Sequence, residues 1–160
     1  TMNNLRLASI SLLYYVVSGV NARGWSGVTF RDVFPEDPQK ISQLPTIAVS
    51  HVNTRILPYQ LSRGSQFNRL FQVIVYAGSD GVRDDLAQDV ADHIYESTAD
   101  LKNYNLSFPP PFGSGAEPTI TGKIDFQNIS MSPSVNIDAQ HTAARHIMTI
   151  SFTGIIYNDS

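Results

Sequence analysis

The hydrophobic positions near the amino terminus recur at the spacing of a helix. Over residues 4–18, apolar side chains return every three or four positions, as they do on a helix that packs against a core: Leu5, Ala8, Leu12, Tyr15 and Val16. Asn3 or Asn4 can cap this helix, and Gly19 can end it. The pattern predicts a core helix, whose surplus of apolar surface could alternatively pack on a neighbouring subunit.

From Thr46 onward the pattern changes to that of β-strands. The first run, TIAVSHVN, is followed by an interruption, and RLFQVIVYA then resumes the pattern. The second run is apolar on both faces, with Phe71, Val73 and Val75 on one and Leu70, Ile74 and Tyr76 on the other. We therefore expect this strand to be central in its sheet and covered on both sides.

One more helix and two more strands complete the pattern. Leu86, Val90 and Ile94 follow one another at a spacing of four residues, which predicts a helix at about 82–97. Toward the carboxyl terminus, TITGKIDFQNI and RHIMTISFTGIIYN alternate apolar with polar residues. Such alternation is typical of antiparallel strands with one wet face.

Three segments between these elements have no clear period. Residues 19–45 contain several glycines and prolines and are too long for a bare connection, so we expect short strands or contacts with a partner there. Residues 98–118 are expected to form a loop stiffened by the triple proline at 109–111. Residues 132–144 exceed the length of a hairpin turn and are expected to form an extended arm.

The order of the elements predicts the fold class. Helix, strand, strand, helix, strand, strand contains no regular βαβ alternation. We therefore expect an α+β fold, in which two helices pack on a mainly antiparallel, mixed β-sheet. A length of 160 residues fits one domain spanning residues 1–160.

Composition narrows the functional classes. Charged residues make up 16% of the chain and the formal net charge is −3, which argues against a nucleic-acid binder with a basic face. The low charge also mildly favours an oligomer, in which neutral surface is covered. No apolar run approaches the ~20 residues of a membrane span, and we expect no signal peptide. The absence of cysteine suits folding in a reducing cytoplasm.

The turn after the central strand, AGSDGVRDD, has the glycines of a phosphate loop without its chemistry. It lacks the lysine that contacts phosphate, and its aspartates would repel an anion at the start of the helix. The acidic stripe Asp85, Asp89, Asp92 and Glu96 matches no calcium-binding pattern. A solvated helix face, favoured by the helix dipole near the amino end, explains these acids better.

The four histidines and the serines form no recognised zinc or catalytic motif. We therefore predict a protein that is not an enzyme and that has no catalytic residues, no cofactor and no metal site. The alternative is a metal-dependent hydrolase in which Asp85, Asp89 and Asp92 hold a divalent ion.

Function is then expected at protein interfaces. The segment LPYQLSRGSQFNR combines arginines with aromatic residues, a composition typical of protein–protein contacts. The acidic total argues against DNA as the partner of this segment. Together with three positions in the expected arm, the predicted interface residues are Arg55, Tyr59, Arg63, Phe67, Arg69, Val135, Ile137 and His141.

The run from PTIAVSHVNTR through RLFQVIVYAGSDGVRDDLAQDVADHIYE resembles the tail terminator, or tail completion, proteins of long-tailed bacteriophages. In that family a short amino-terminal helix precedes a proline-led strand. A second strand then ends in a small-residue turn, and a helix begins with Arg-Asp or a similar pair. The matching positions here are Pro45, the strand around Phe71–Tyr76, Gly78, Arg83 with Asp84, and Leu86 with Ala87.

The resemblance implies a structural virion protein. Six copies would form a ring at the head-proximal end of the tail tube, stop tube polymerisation and join the tube to the head connector or stopper protein. DNA would pass through the lumen without specific binding, and the ring would be assembled in the host cytoplasm as part of the virion neck. A ring subunit of another phage or secretion-system assembly is the alternative that the resemblance leaves open.

Overall fold

The computed structural model describes residues 4–31, 45–56, 65–96, 98–102, 119–135 and 146–158. These residues form two helices and six strands. In chain order the elements are α1 (Asn4–Ala22), β1 (Thr29–Arg31), β2 (Thr46–Ile56), β3 (Ser65–Ala77), α2 (Asp80–Glu96), β4 (Ala99–Lys102), β5 (Ile120–Val135) and β6 (His146–Asn158). The predicted α+β class with two helices is confirmed.

The strands form one mixed sheet in the order β1-β2-β3-β6-β5-β4. Only the short β1 runs parallel to its neighbour β2, and the other strand pairs of this sheet are antiparallel. β3 pairs with β2 on one side and with β6 along its whole length on the other. The expected central position of the strand at 69–77 is therefore confirmed.

Both helices pack on the same face of the sheet and form one apolar core with it. The α2 stripe predicted from the sequence is buried there, together with apolar side chains of α1 between Ala8 and Val20. On the opposite face of β3, Tyr76 is buried beside Ala48, Ile74 is half-buried and Leu70 is 36% exposed. Neither described helix lies on this second face. The expectation that β3 is covered on both sides therefore holds at its Tyr76 end and fails at Leu70.

Gly19 does not end α1, which continues to Ala22. The glycine instead lies where α1 crosses α2, against the ring of His93. A Cβ atom at this position would overlap the ring atoms Cγ, Cδ2 and Nε2 of His93. The absence of a side chain, rather than a left-handed backbone, is therefore what this position requires.

Short strands lie in two of the segments that lack a clear period. β1 falls within 19–45, as expected for that segment. β4 falls within 98–118, where only a loop was expected, and Ala99 and Leu101 bury their side chains beneath α1. Strands of three and four residues are too short to show a period of two, so the sequence pattern misses β4.

β5 extends into residues 132–135, which were expected to belong to an extended arm. The strand continues past a bulge between Gln127 and Ser130, where Asn128 adopts a φ of 56°. An inserted residue shifts the alternation of side chains by one position, so the second half of the strand does not continue the apolar–polar alternation of the first half. Residues 136–144 of the expected arm lie outside the described residues.

Candidate assembly interface

The predicted interface residues fall into two groups that the structure does not bring together. Arg55 and Phe67 lie near the same end of the β2–β3 pair, where Arg55 is opposite Asn68 and Phe67 is opposite Ile56. Val135 pairs with His146 at the opposite end of the sheet. The remaining positions lie outside the described residues: Tyr59, Arg63, Ile137 and His141.

Arg69 was expected at the surface, but it is buried within the chain and is only 2% exposed. Its Nη1 donates a hydrogen bond of 2.9 Å to Ser9 Oγ on α1, and its guanidinium carbon lies 5.7 Å from the centre of the Phe71 ring. Burial lowers the pKa of Arg69 to about 10. In the described fold Arg69 therefore links β3 to α1 and presents no surface to a partner.

Among the described residues, the outer edge of β2 is open along most of its length, that is, it pairs with no strand there. β1 pairs only with Thr46, Ile47 and Ala48, although β2 continues to Ile56. In an antiparallel pair, alternate residues direct their N–H and C=O groups away from the partner strand. From Val49 onward, no strand among the described residues receives these groups of β2.

The outer edge of β5, on the other side of the sheet, is also open. β4 pairs with β5 only between Ile120 and Ile124, whereas β5 continues to Val135. The open stretch contains the bulge and Pro133, and a proline is tolerated in a sheet on an edge strand. On each side of the described sheet, a short outermost strand thus covers only a few residues of the long strand next to it, β1 on β2 and β4 on β5.

Two exposed apolar side chains lie on β5. Met131, which pairs with the buried Ile150, is 41% exposed and belongs to the open stretch. Ile120 is 60% exposed and belongs to the stretch that pairs with β4. Other large apolar residues with exposed side chains are Leu70, Val82, Tyr95 and Tyr157.

The acidic stripe of α2 is partly used inside the chain. Asp89 accepts a hydrogen bond of 2.7 Å from Trp25 Nε1, and Glu96 forms an ion pair of 3.0 Å with Arg23. Both partners lie in the segment after α1, so these carboxylates hold that segment against α2. Asp85 and Glu96 are exposed, as expected for the stripe, whereas Asp89 and Asp92 are half-buried.

The described part of the chain contains no group of three His, Asp or Glu side chains placed to hold a metal ion. It also contains no helix long and apolar enough to cross a membrane. These findings concern the described residues, which include the whole acidic stripe.

The turn that resembled a phosphate loop serves as the cap of α2. Ser79 Oγ accepts a hydrogen bond of 3.3 Å from the backbone N–H of Val82, as a serine at a helix start commonly does. Arg83 forms an ion pair of 2.9 Å with Asp84, and Asp80 Oδ1 lies 2.6 Å from His146 Nδ1, although not in hydrogen-bond geometry. Carboxylates occupy the surroundings of this helix end, which makes it unsuitable for an anion.

His93 lies at the contact between the two helices. Its ring stacks on Tyr15 at 4.2 Å, and its backbone carbonyl accepts a hydrogen bond of 2.6 Å from the Tyr15 hydroxyl. Burial lowers the pKa of His93 below 6.5, and the nearby Arg23 lowers it further, whereas a hydrogen bond with the Tyr15 backbone and the Glu96 charge oppose this shift.

Acidification should therefore weaken the fold through His93. Because its folded-state pKa lies below the unfolded value, the unfolded chain binds more protons as the pH falls through 6.5. The stabilising effect of a neutral His93 is complete above pH 6.5 and is lost below it, with a slope of at most about 1.4 kcal/mol per pH unit. Urea unfolding between pH 7.5 and pH 5 measures the slope, which should be smaller in His93→Phe. Equal slopes in the two proteins would contradict this assignment.

A small cleft opens between α1 and β4, with a volume of about 160 Å³. Tyr14 and Tyr15 line it from the helix, and Asp100 and Lys102 line it from the strand. Ser11 Oγ accepts a hydrogen bond of 3.2 Å from the Lys102 backbone N–H at its floor. The sequence pattern does not predict this cleft, because half of its wall comes from β4, which the pattern misses.

No protein-family model matches the chain, and no curated protein matches it either. The resemblance to tail terminators therefore remains an observation on the sequence pattern alone.

Proposed function

We propose that this protein is a structural ring subunit, and specifically a tail terminator in the neck of a long-tailed phage. Copies of the chain close into a hexamer at the head-proximal end of the tail tube, stop the addition of tube protein and join the tube to the head connector. Support comes from the resemblance of residues 45–96 and from the geometry of the sheet edges.

The observation that carries the proposal is the pair of open edges on opposite sides of one sheet. A contact between two different surfaces of the same subunit is heterologous, and such contacts generate rings when the rotation between subunits closes. The described part of the chain offers such a pair in the open edges of β2 and β5. A contact of this kind gives every copy in the ring the same surroundings.

The charge of the chain is compatible with passage of DNA through such a ring. Six copies at −3 each give a formal charge of −18. A mildly acidic ring repels the DNA phosphates instead of gripping them, so DNA moves through without a binding step. The ring acts through its shape and contacts, and no catalytic step is required.

No observation on the described residues favours the hydrolase alternative. In that alternative Asp85, Asp89 and Asp92 share a divalent ion. Asp89 instead accepts the Trp25 hydrogen bond, and Asp92 accepts one of 2.7 Å from Gln88. Two of the three carboxylates thus already have partners within the chain.

The purified full chain should form rings at micromolar concentration. Mass photometry gives their mass against the 17.7 kDa of one chain, and negative-stain images give their symmetry. When rings are mixed with polymerising tail-tube protein, tubes should carry a ring at one end and stop growing there. A chain that stays monomeric alone and in the presence of tube protein would contradict the proposed function.

A further inference from the structure

We propose that the open edge of β2, residues 49–56, pairs in an antiparallel manner with the open edge of β5, residues 125–135, of a second copy of this chain. The sheet would then continue from subunit to subunit around the ring. The inference rests on the proposed ring-forming function and identifies the contact that closes the ring.

The backbone of both edges is suited to such pairing. Exposed N–H and C=O groups at a sheet edge form a template for an added strand. In the described fold, β1 covers the β2 edge only up to Ala48, and β4 covers the β5 edge only up to Ile124. Both free stretches are longer than the strands that cover the rest of their edges.

The strand directions produce the correct polarity. β2, β3, β6 and β5 follow one another through three antiparallel steps, so β2 and β5 run in opposite directions. When a second copy is rotated about an axis along the strands, its β2 keeps the direction that it has in the first copy. β2 of one copy then meets β5 of the next in the antiparallel arrangement that dominates the sheet.

The strand registers place the two free stretches at overlapping positions along the strand direction. Through β3 and β6, Ile56 of β2 stands level with Ile124 of β5, and Thr46 stands level with Ser134. β1 occupies the Thr46 end and β4 the Ile124 end. If the second copy is shifted along the strand direction by about three residues, its residues 49–56 lie beside residues 127–134 of the first copy. In that register neither β1 nor β4 lies between the two strands. Tilted strands in a closed sheet produce such a stagger.

Two features of the β5 edge select for a matching partner. Pro133 removes one N–H donor, and the bulge at Asn128 bends the strand. Prolines and bulges discourage pairing with unrelated strands, because the partner has to follow the same bend. β2 contains its own register shift between His51 and Asn53, so its edge is also bent.

The charges favour a second copy as the partner. Arg55 is the only Lys or Arg in 49–56, and Asp125 is the only charged residue in 125–135. The two residues stand near the same end of the sheet, on opposite edges. In the unstaggered register Arg55 of one copy stands level with Asp125 of the next, and a three-residue stagger moves them three positions apart. Pairing of β2 with β5 is the combination that offers opposite charges, whereas β2 with β2 or β5 with β5 offers like charges alone.

Disulfide trapping tests the contact, because the natural chain contains no cysteine. The variant carrying Asn53→Cys and Ser130→Cys reports the staggered register, and the variant carrying Asn53→Cys and Gln127→Cys reports the unstaggered one. After mild oxidation, one of the two should lose its monomer band on a denaturing gel and give a ladder that ends at the ring size. A ladder from either variant supports the proposal.

The control variant combines Asn53→Cys with Ser151→Cys. Ser151 pairs directly with Ser130 but lies on β6, one strand away from the edge, so this variant should remain monomeric on the gel. A covalent dimer from Asn53→Cys alone would overturn the proposal, because it would show that β2 pairs with β2. If each variant forms intact rings in negative stain but gives no ladder on the gel, the proposed contact between β2 and β5 is wrong. The proposed ring function would not be contradicted by that result. Absence of rings in the natural protein would overturn both.

Discussion

Replacing Gly19 with alanine should lower the free energy of unfolding by about 1–3 kcal/mol, the usual cost of an overpacked contact. The new Cβ would overlap the His93 ring. The ring cannot retreat freely, because it stacks on Tyr15 at 4.2 Å and the Tyr15 hydroxyl holds the His93 carbonyl. Alanine is otherwise the better helix residue by about 1 kcal/mol, so a net loss isolates the steric effect.

Gly81 provides the matched control, because it is also a helical glycine. A Cβ there would meet no atom within 4 Å. Gly81→Ala should therefore leave the free energy of unfolding unchanged or raise it by up to about 1 kcal/mol, since Gly81 lies in the first turn of α2. Urea unfolding followed by circular dichroism measures both variants. If Gly19→Ala were as stable as the natural protein or more so, the close helix contact would not exist in solution.

The helix contact also bears on assembly. The segment that follows α1 is held to α2 by the Trp25–Asp89 hydrogen bond and the Arg23–Glu96 ion pair, and it leads into β1. β1 covers one end of the β2 edge. A shift of α1 against α2 would therefore disturb the part of the edge that limits where a second copy can pair.

The sequence pattern predicts the elements that have a clear period. The helix stripe of Leu86, Val90 and Ile94 and the alternation in the last strand both lie where the pattern places them. Each of these elements buries one face against the same core, so burial imposes a period on its residues. The pattern fails beyond Asn128, because a bulge shifts the alternation, and at β4, because four residues cannot display a period.

The candidate interface is harder to predict, because it depends on partners that are distant in sequence. Arg69 looks like a surface arginine until Ser9, sixty positions earlier, supplies its acceptor. Asp89 looks solvated until Trp25, sixty-four positions earlier, donates to it. From the sequence, Gly19 is expected to end α1, whereas in the fold its lack of a side chain makes room for the His93 ring. The open edges of β2 and β5 likewise emerge only when the strand order and register are known.

Replacing Phe71 with alanine should have the largest effect of the changes considered, a loss of about 3–5 kcal/mol in the free energy of unfolding. Phe71 is fully buried on β3, and the centre of its ring lies 5.8 Å from the centre of the Phe152 ring. Gly154 on β6 makes room for the ring, since a Cβ at Gly154 would lie 2.6 Å from Phe71 Cε2. The cavity left by alanine has no nearby side chain at Gly154 to fill it, which places the loss toward the upper part of this range.

Leu70→Ala is the control for this prediction, because Leu70 is adjacent in sequence but lies on the opposite face of the sheet. Its side chain is 36% exposed, so its truncation should cost less than half as much as that of Phe71. Urea midpoints distinguish the two variants, and an unchanged slope shows that each midpoint reports a change in stability. Ring formation at a temperature where Leu70→Ala is folded then shows whether the second face contributes to assembly. Similar losses of stability in the two variants would mean that the helices do not bury one face of β3 in preference to the other.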